Sequence, residues 1–149
     1  PTSPSGQTEQ FTWTVNGQSY SSSSNGREAL RGSGSSTISI VGANCSSASF
    51  ISMLVKNPAV GTFPVSQDVS LRWTPDARSS TNQDNFDAPG NGGLNIGTGS
   101  GTVTITSLTD SWISGTFNVV AVPFFNNQDK TQKTIVGSFE LPFRDSTIC

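Results

Sequence analysis

The chain has 149 residues, enough for one domain that buries a full core without depending on staples. Hydrophobic residues make up 32 %, aromatic 9 % and charged only 12 %, the balance being mostly Ser, Thr, Asn, Gln and Gly, a composition that argues against disorder outside the ends and predicts an outward-facing all-β domain. Eight scattered basic residues and a net charge of −2 argue against nucleic acid as a partner, since phosphate contacts need clustered Lys and Arg.

Residues 1–10 are polar and Pro/Ser-rich and read as a flexible tether, leaving 11–149 as a single domain. The opening at Pro1 is expected to be a processed product, and every apolar run is strand-sized. Phe11, Trp13 and Val15 alternate on one strand face, and Asn16-Gly17 supplies the two left-handed positions of a type I′ turn into Gln18–Ser21. After a flexible turn over residues 21–26, Arg27–Arg31 is expected as a strand or one turn of helix. Thr37–Val41 and Ser49–Val55 form the next hairpin, with Cys45 in its loop. Phe50–Val55 loses strict alternation, which predicts burial on both faces or a bulge.

Gly61–Val65 reads as a short strand that Pro64 confines to an edge or a bend, and Val69–Trp73 as a clean alternating strand stopped by Thr74-Pro75. Residues 76–93 show no alternation around the single Phe86 and are expected to be the longest loop, with Leu94–Ile96 re-entering the sheet. Gly97–Gly101 lacks the spacing, helix and lysine of a nucleotide cradle and reads as a connection between strands. Val103 and Ile105 share a face, 108–110 turns the chain, and Trp112–Val122 makes a long strand ended by Pro123. Beyond a turn at 126–129, Ile135, Gly137, Phe139, Leu141 and Phe143 alternate through the final strand. Many short strands without a convincing helix predict an antiparallel β-sandwich or closed β-barrel built from hairpins. Trp13, Trp73, Phe117, Val119, Ile135, Phe139 and Leu141 are assigned to its core.

The chain contains no histidine, which removes Ser-His-Asp and Cys-His nucleophile systems, histidine zinc sites and imidazole acid–base steps. Cys45 and Cys149, the two cysteines, read as a disulfide in an exported protein; the alternative is two free thiols in a reducing compartment. Asp84/Asp87 or Asp110/Glu140 could supply the two carboxylates of a glycoside hydrolase, but Asp84 and Asp87 are expected to sit in a loop without a surrounding apolar setting to raise one pKa. Asn82, Asp84, Asn85 and Asp87 could offer oxygens to calcium, though without the spacing of the twelve-residue calcium loop. Asn44-Cys45-Ser46 matches the glycosylation triplet and is expected to be unmodified. No cofactor is expected. Trp112 and Phe124-Phe125, beside turns, and Phe86, in the long loop, are the candidate contact residues for a partner or ligand.

The order Phe11-x-Trp13-x-Val15-Asn16-Gly17-x-x-Tyr20, Ile38-x-Ile40-x-Gly42, the strand at 50–55, Gly61–Val65, Gly101–Thr106, Ile113–Phe117 and Gly137-Ser138-Phe139 resembles a family of small, uncharacterised lipoproteins of Bacteroidota. The likeness spans residues 11–143, is carried by strand and turn signatures, and leaves the 76–93 loop and Cys149 outside it. It implies an all-β fold, export, and a lipid anchor upstream of Pro1 as the sole tie to the outer membrane; it implies no catalytic residue. The expected function is therefore that of a non-enzymatic cell-surface or periplasmic protein, an accessory or interaction subunit of an outer-membrane assembly with a protein partner. A glycan-binding module is the alternative, and a two-carboxylate glycoside hydrolase the weaker one. An exposed line of aromatics on a sheet face would favour a glycan, a flat apolar patch or an unpaired edge a protein.

Overall fold

In the computed structural model, residues 8–32, 36–78, 84–90, 97–145 and 148–149 are described. Eleven strands follow one another: β1 (Gln10–Val15), β2 (Gln18–Ser21), β3 (Arg27–Arg31), β4 (Thr37–Asn44), β5 (Ser49–Lys56), β6 (Gly61–Pro64), β7 (Val69–Thr74), β8 (Phe86–Ala88), β9 (Ser100–Leu108), β10 (Trp112–Pro123) and β11 (Lys133–Pro142). All pairings are antiparallel, and the sheet curls into a half-barrel. The all-β expectation holds.

Long β10 is the hinge of this architecture. Its first nine residues lie between β11 and β9, giving a half ordered β2-β1-β11-β10-β9-β6. Val122 and Pro123 then pair with β8 and lead into β8-β7-β5-β4-β3. The inner faces of the two halves meet. Phe11, Phe117, Phe139 and Ile105 from the first half pack with Ile40, Met53, Leu71 and Ala88 from the second in one buried cluster. At Gly42 the two halves come into close contact: a Cβ there would lie 2.5 Å from the Phe11 ring, so only glycine fits.

Asn16 (φ 47°) and Gly17 (φ 86°) form the expected tight turn. Arg27–Arg31 is a strand rather than a helical turn, because Ala29 pairs with Ile40 on one side and bridges Arg144 on the other. β5 corrects the expectation for Phe50–Val55. It alternates without a break, burying Ile51, Met53 and Val55, while half-buried Phe50 and Leu54, 47 % exposed, are apolar residues on its outward face. Two apolar residues on the solvent side had disguised the period.

Three further expectations change. The 76–93 stretch contains β8, whose Phe86 and Ala88 point inward and whose Asp87 forks onto Arg72; three residues are too few for a period to declare itself. The re-entry expected at Leu94–Ile96 lies outside the described residues. The tether expected to reach residue 10 gives way earlier: Gln10 pairs with Glu140, and the Glu9 carboxylate is buried because Arg27 and Arg144 neutralise it.

Candidate functional site

The alternation that buries Phe11, Trp13 and Val15 on β1 turns Thr12 and Thr14 outward, and the same parity on β9 and β10 turns out Thr102, Thr104, Thr116 and Asn118. Register then aligns them. One row across the six strands of the first half reads Ser21, Thr12, Ser138, Thr116, Thr104, Thr62. The next reads Ser19, Thr14, Val136, Asn118, Thr102, Pro64. Neighbouring strands stand about 4.8 Å apart, so the first row presents one hydroxyl per strand over about 24 Å, and the second lies about 6.8 Å from it.

Neither row contains a charged side chain. Thr12, Thr62 and Thr116 are exposed, Thr104 and Ser138 half-buried, and Val136 is 42 % exposed. Thr62 and Thr104 share a 2.9 Å hydroxyl–hydroxyl bond, which ties the β6 edge to the face. A bulge bounds the rows on one side: Ser114 pairs with Ser107 and Gly115 with Ile105, so Thr106 is the extra residue. At the β2–β1–β11 end a hollow of about 660 Å³ opens between Thr12, Thr14, Ser19 and Ser21 and the β4–β5 turn, where Asn44 and Ser47 wall it.

The candidate contact residues scatter. Trp112 is a correction: it is only 4 % exposed, and its indole N–H is already committed, donating to Ser114 Oγ at 3.1 Å. Phe86 is a second correction. It is 2 % exposed and packs on Trp73 with ring centroids 5.4 Å apart. Phe125 is 54 % exposed and Phe124 half-buried beside it, their rings 4.6 Å apart at the end of β10. They form a small knob away from the hydroxyl rows. Trp13 and Trp73 belong to the core, as assigned from alternation.

Cys45 and Cys149 are bonded, with Cα atoms 5.4 Å apart. Beside the bridge is an apolar hollow of about 250 Å³ lined by Val41, Ala43, Phe50, Ala77 and Ile148. Of the residues considered for calcium, Asn82 lies outside the described residues. Asn85 Oδ1 accepts from Thr74 Oγ1 at 2.8 Å, and Asp87 is held by Arg72 at 2.6 and 3.2 Å. The hydrogen bond from Arg72 to Asp87, against the opposing effect of burial, holds the Arg72 pKa above its ordinary value. Those two residues are committed to the fold. Asn44 of the glycosylation triplet is likewise engaged: its Nδ2 donates to the Ser21 carbonyl at 3.0 Å, and its Oδ1 accepts the Ser46 and Ser47 amides. Of the second carboxylate pair, Asp110 is exposed in the β9–β10 turn and Glu140 sits within β11, opposite Ser114 and Gln10.

Sequence reading missed the rows. The alternation of Thr12 with Thr14 and of Thr102 with Thr104 was visible, but their alignment across six strands depends on pairings between distant segments. Fold and face together define an all-β protein whose broadest described feature is an uncharged hydroxyl surface. Compared with known proteins, the chain matches no family model, no curated protein and no solved structure.

Proposed function

We propose that this is a non-catalytic contact protein, exported and lipid-tethered at a bacterial cell surface or outer membrane, where it serves as an accessory or interaction subunit. The observation that carries this reading is the six-strand face of uncharged hydroxyls, which is broad, regular and stiffened by the core beneath it. Three supports accompany it. The chain has no imidazole to move protons, and one of its candidate carboxylates, Asp87, is clamped by Arg72. The Cys45–Cys149 bridge fits an oxidising compartment. The resemblance to Bacteroidota lipoproteins is the basis for the anchor and the location.

Purification from the native membrane in mild detergent tests the proposal. The expected result is a co-eluting protein that survives washing, with no turnover in a broad glycosidase screen. Turnover that disappears in Asp84→Asn would overturn it in favour of a two-carboxylate hydrolase.

A further inference from the structure

We infer that Asn16 is a site of spontaneous covalent modification, where the side-chain amide is lost through a cyclic imide formed with the Gly17 nitrogen and an isoaspartate is left in the main chain. The inference stands apart from the contact reading above and rests on the geometry of one turn.

The reaction needs an uncrowded main-chain nitrogen following an asparagine. Gly17 supplies it: the residue is exposed, and a Cβ built on it would meet nothing within 4 Å. The Gly17 nitrogen bonds to Asn16 Cγ, the Cγ–Nδ2 bond breaks, and the proton given up by the nitrogen ends, through solvent, on the departing ammonia. Water then opens the imide at either carbonyl. Cleavage from Cγ gives aspartate. Cleavage from the main-chain carbonyl gives isoaspartate, in which the chain runs on through Cγ and is longer by a methylene.

The folded turn slows this chemistry without abolishing it. Asn16 (φ 47°) and Gly17 (φ 86°) form a type I′ turn, whose first central residue has ψ near about 30°. The Gly17 nitrogen then lies nearly opposite Cβ about the Cα–C bond, whereas ring closure needs the two on the same side. Flipping the peptide plane between Asn16 and Gly17 gives the type II′ turn, with the same φ and ψ near about −120°, which brings them together and still closes a hairpin. Thr134 at the start of β11 opposes the flip. Asn16 donates its amide to the Thr134 carbonyl at 2.9 Å, and its Oδ1 accepts the Thr134 amide at 2.9 Å, which pins Cγ away from the nitrogen.

Asn25-Gly26 has the same two residues and a harder path. Gly26 is buried, its amide donates to the Ser23 carbonyl at 2.9 Å, and the Asn25 carbonyl accepts the Cys149 amide at 3.1 Å. Imide closure there has to part this turn from β4 as well, since Ser23 donates to the Ala43 carbonyl and Ala43 to the Gly26 carbonyl. Asn91-Gly92 lies outside the described residues. At position 16 the two products differ in effect. Aspartate suits the turn and keeps an oxygen for Thr134, while the added methylene of isoaspartate breaks the spacing that sets Val15 opposite Gln18, so β2 loses its register at the sheet edge.

Peptide mapping by mass spectrometry of the oxidised protein, held in warm, mildly alkaline buffer, tests the inference by following the gain of about 1 Da at each asparagine. The expected result is conversion at Asn16 ahead of Asn25, about tenfold or more slower than at Asn16 in the urea-unfolded chain, and quickened by urea well below the unfolding transition. Thr134→Pro removes the amide that holds Oδ1 and is expected to speed conversion at Asn16 several-fold while leaving Asn25 unchanged; should that variant not fold, the urea series on the native chain reads the same gate. After chromatographic separation, the isoaspartate form is expected to lose hydrogen-exchange protection at the Thr134 amide and the aspartate form to keep it. Conversion at Asn25 first or equally, equal rates at Asn16 in folded and unfolded chains, or no conversion there over many times the period that exhausts the unfolded chain would overturn the inference. So would a rate indifferent to both Thr134→Pro and urea, or an isoaspartate form in which Thr134 stays protected.

Discussion

Glu9 shows how one residue can fasten a fold. Its side chain is 3 % exposed and lies between Arg27 of β3, at 3.2 Å, and Arg144 just beyond β11, which reaches both carboxylate oxygens. Burial pushes the Glu9 carboxyl up. The Arg144 hydrogen bonds and the charges of Arg144 and Arg27 outweigh burial and hold it below its ordinary value of 4.5. A folded-state pKa below the unfolded one means that the ionised form stabilises the fold above the unfolded value and that this contribution is lost as pH falls through the folded one. Glu9→Gln is therefore expected to cost about 2 kcal/mol at neutral pH, where it leaves two guanidinium groups partly uncompensated. Urea titrations of the two proteins should converge as pH drops below 4.5. A gap that stays constant with pH would show that the carboxylate charge is not what Arg27 and Arg144 grip. Asp129 is also held down, to about 2, by Lys133 and Thr131, but its side chain is 44 % exposed, so solvent screening leaves the pair little stability to add.

At the scale of elements, β10 and β11 are the framework on which the hydroxyl rows stand. Phe139 lies opposite Gly115 and Phe117 opposite Gly137, so each ring covers a glycine on the neighbouring strand. A Cβ at Gly137 would come 2.3 Å from the Phe117 ring, which makes the pairing exclusive. Phe139 is fully buried, and Phe139→Ala is expected to cost about 3–5 kcal/mol, because the cavity and the bare glycine cannot both be filled by relaxation. Denaturant titration checks this, and a loss under about 1 kcal/mol would mean that the ring contributes far less to the core than its burial implies. Strands with repeated alternation, such as β1, β7, β10 and β11, were legible in sequence. β8 was not, since Phe86 and Ala88 are placed by Trp73, Leu71 and Pro123 on partner strands instead of by a local pattern.

Across the whole molecule, the segment beyond β11 ties back to β3 and to the turn before it. Arg144 donates its amide to Ala29 at 3.0 Å, joining β3 to the end of β11, and Cys149 donates to Asn25 at 3.1 Å. The disulfide spans 104 residues of sequence, and loss of such a link in the chain-entropy model costs about 4–5 kcal/mol. Adding reductant to a urea titration is expected to lower the midpoint accordingly. An unchanged midpoint would show that the contacts of Ile148, at the apolar hollow beside Val41, Ala43 and Phe50, hold the terminus without the bond.

Sequence by itself determined the class of fold, the inward residues of strands such as β1, β7, β10 and β11, the Asn16-Gly17 turn and which two cysteines a disulfide would join, while the bond itself is seen only in the structure. These follow from period, turn chemistry and arithmetic, all of which act over a few residues or on the whole composition. Tertiary structure alone decided that Trp112 and Phe86 are covered, that Arg27 and Arg144 converge on Glu9, and that Ser21, Thr12, Ser138, Thr116, Thr104 and Thr62 stand in one line. Exposure beside a turn depends on what packs over it, and a row depends on register. Shifting one strand by one residue would send its threonines inward, and the fit of the opposing core faces, with the hairpin turns, forbids that slip.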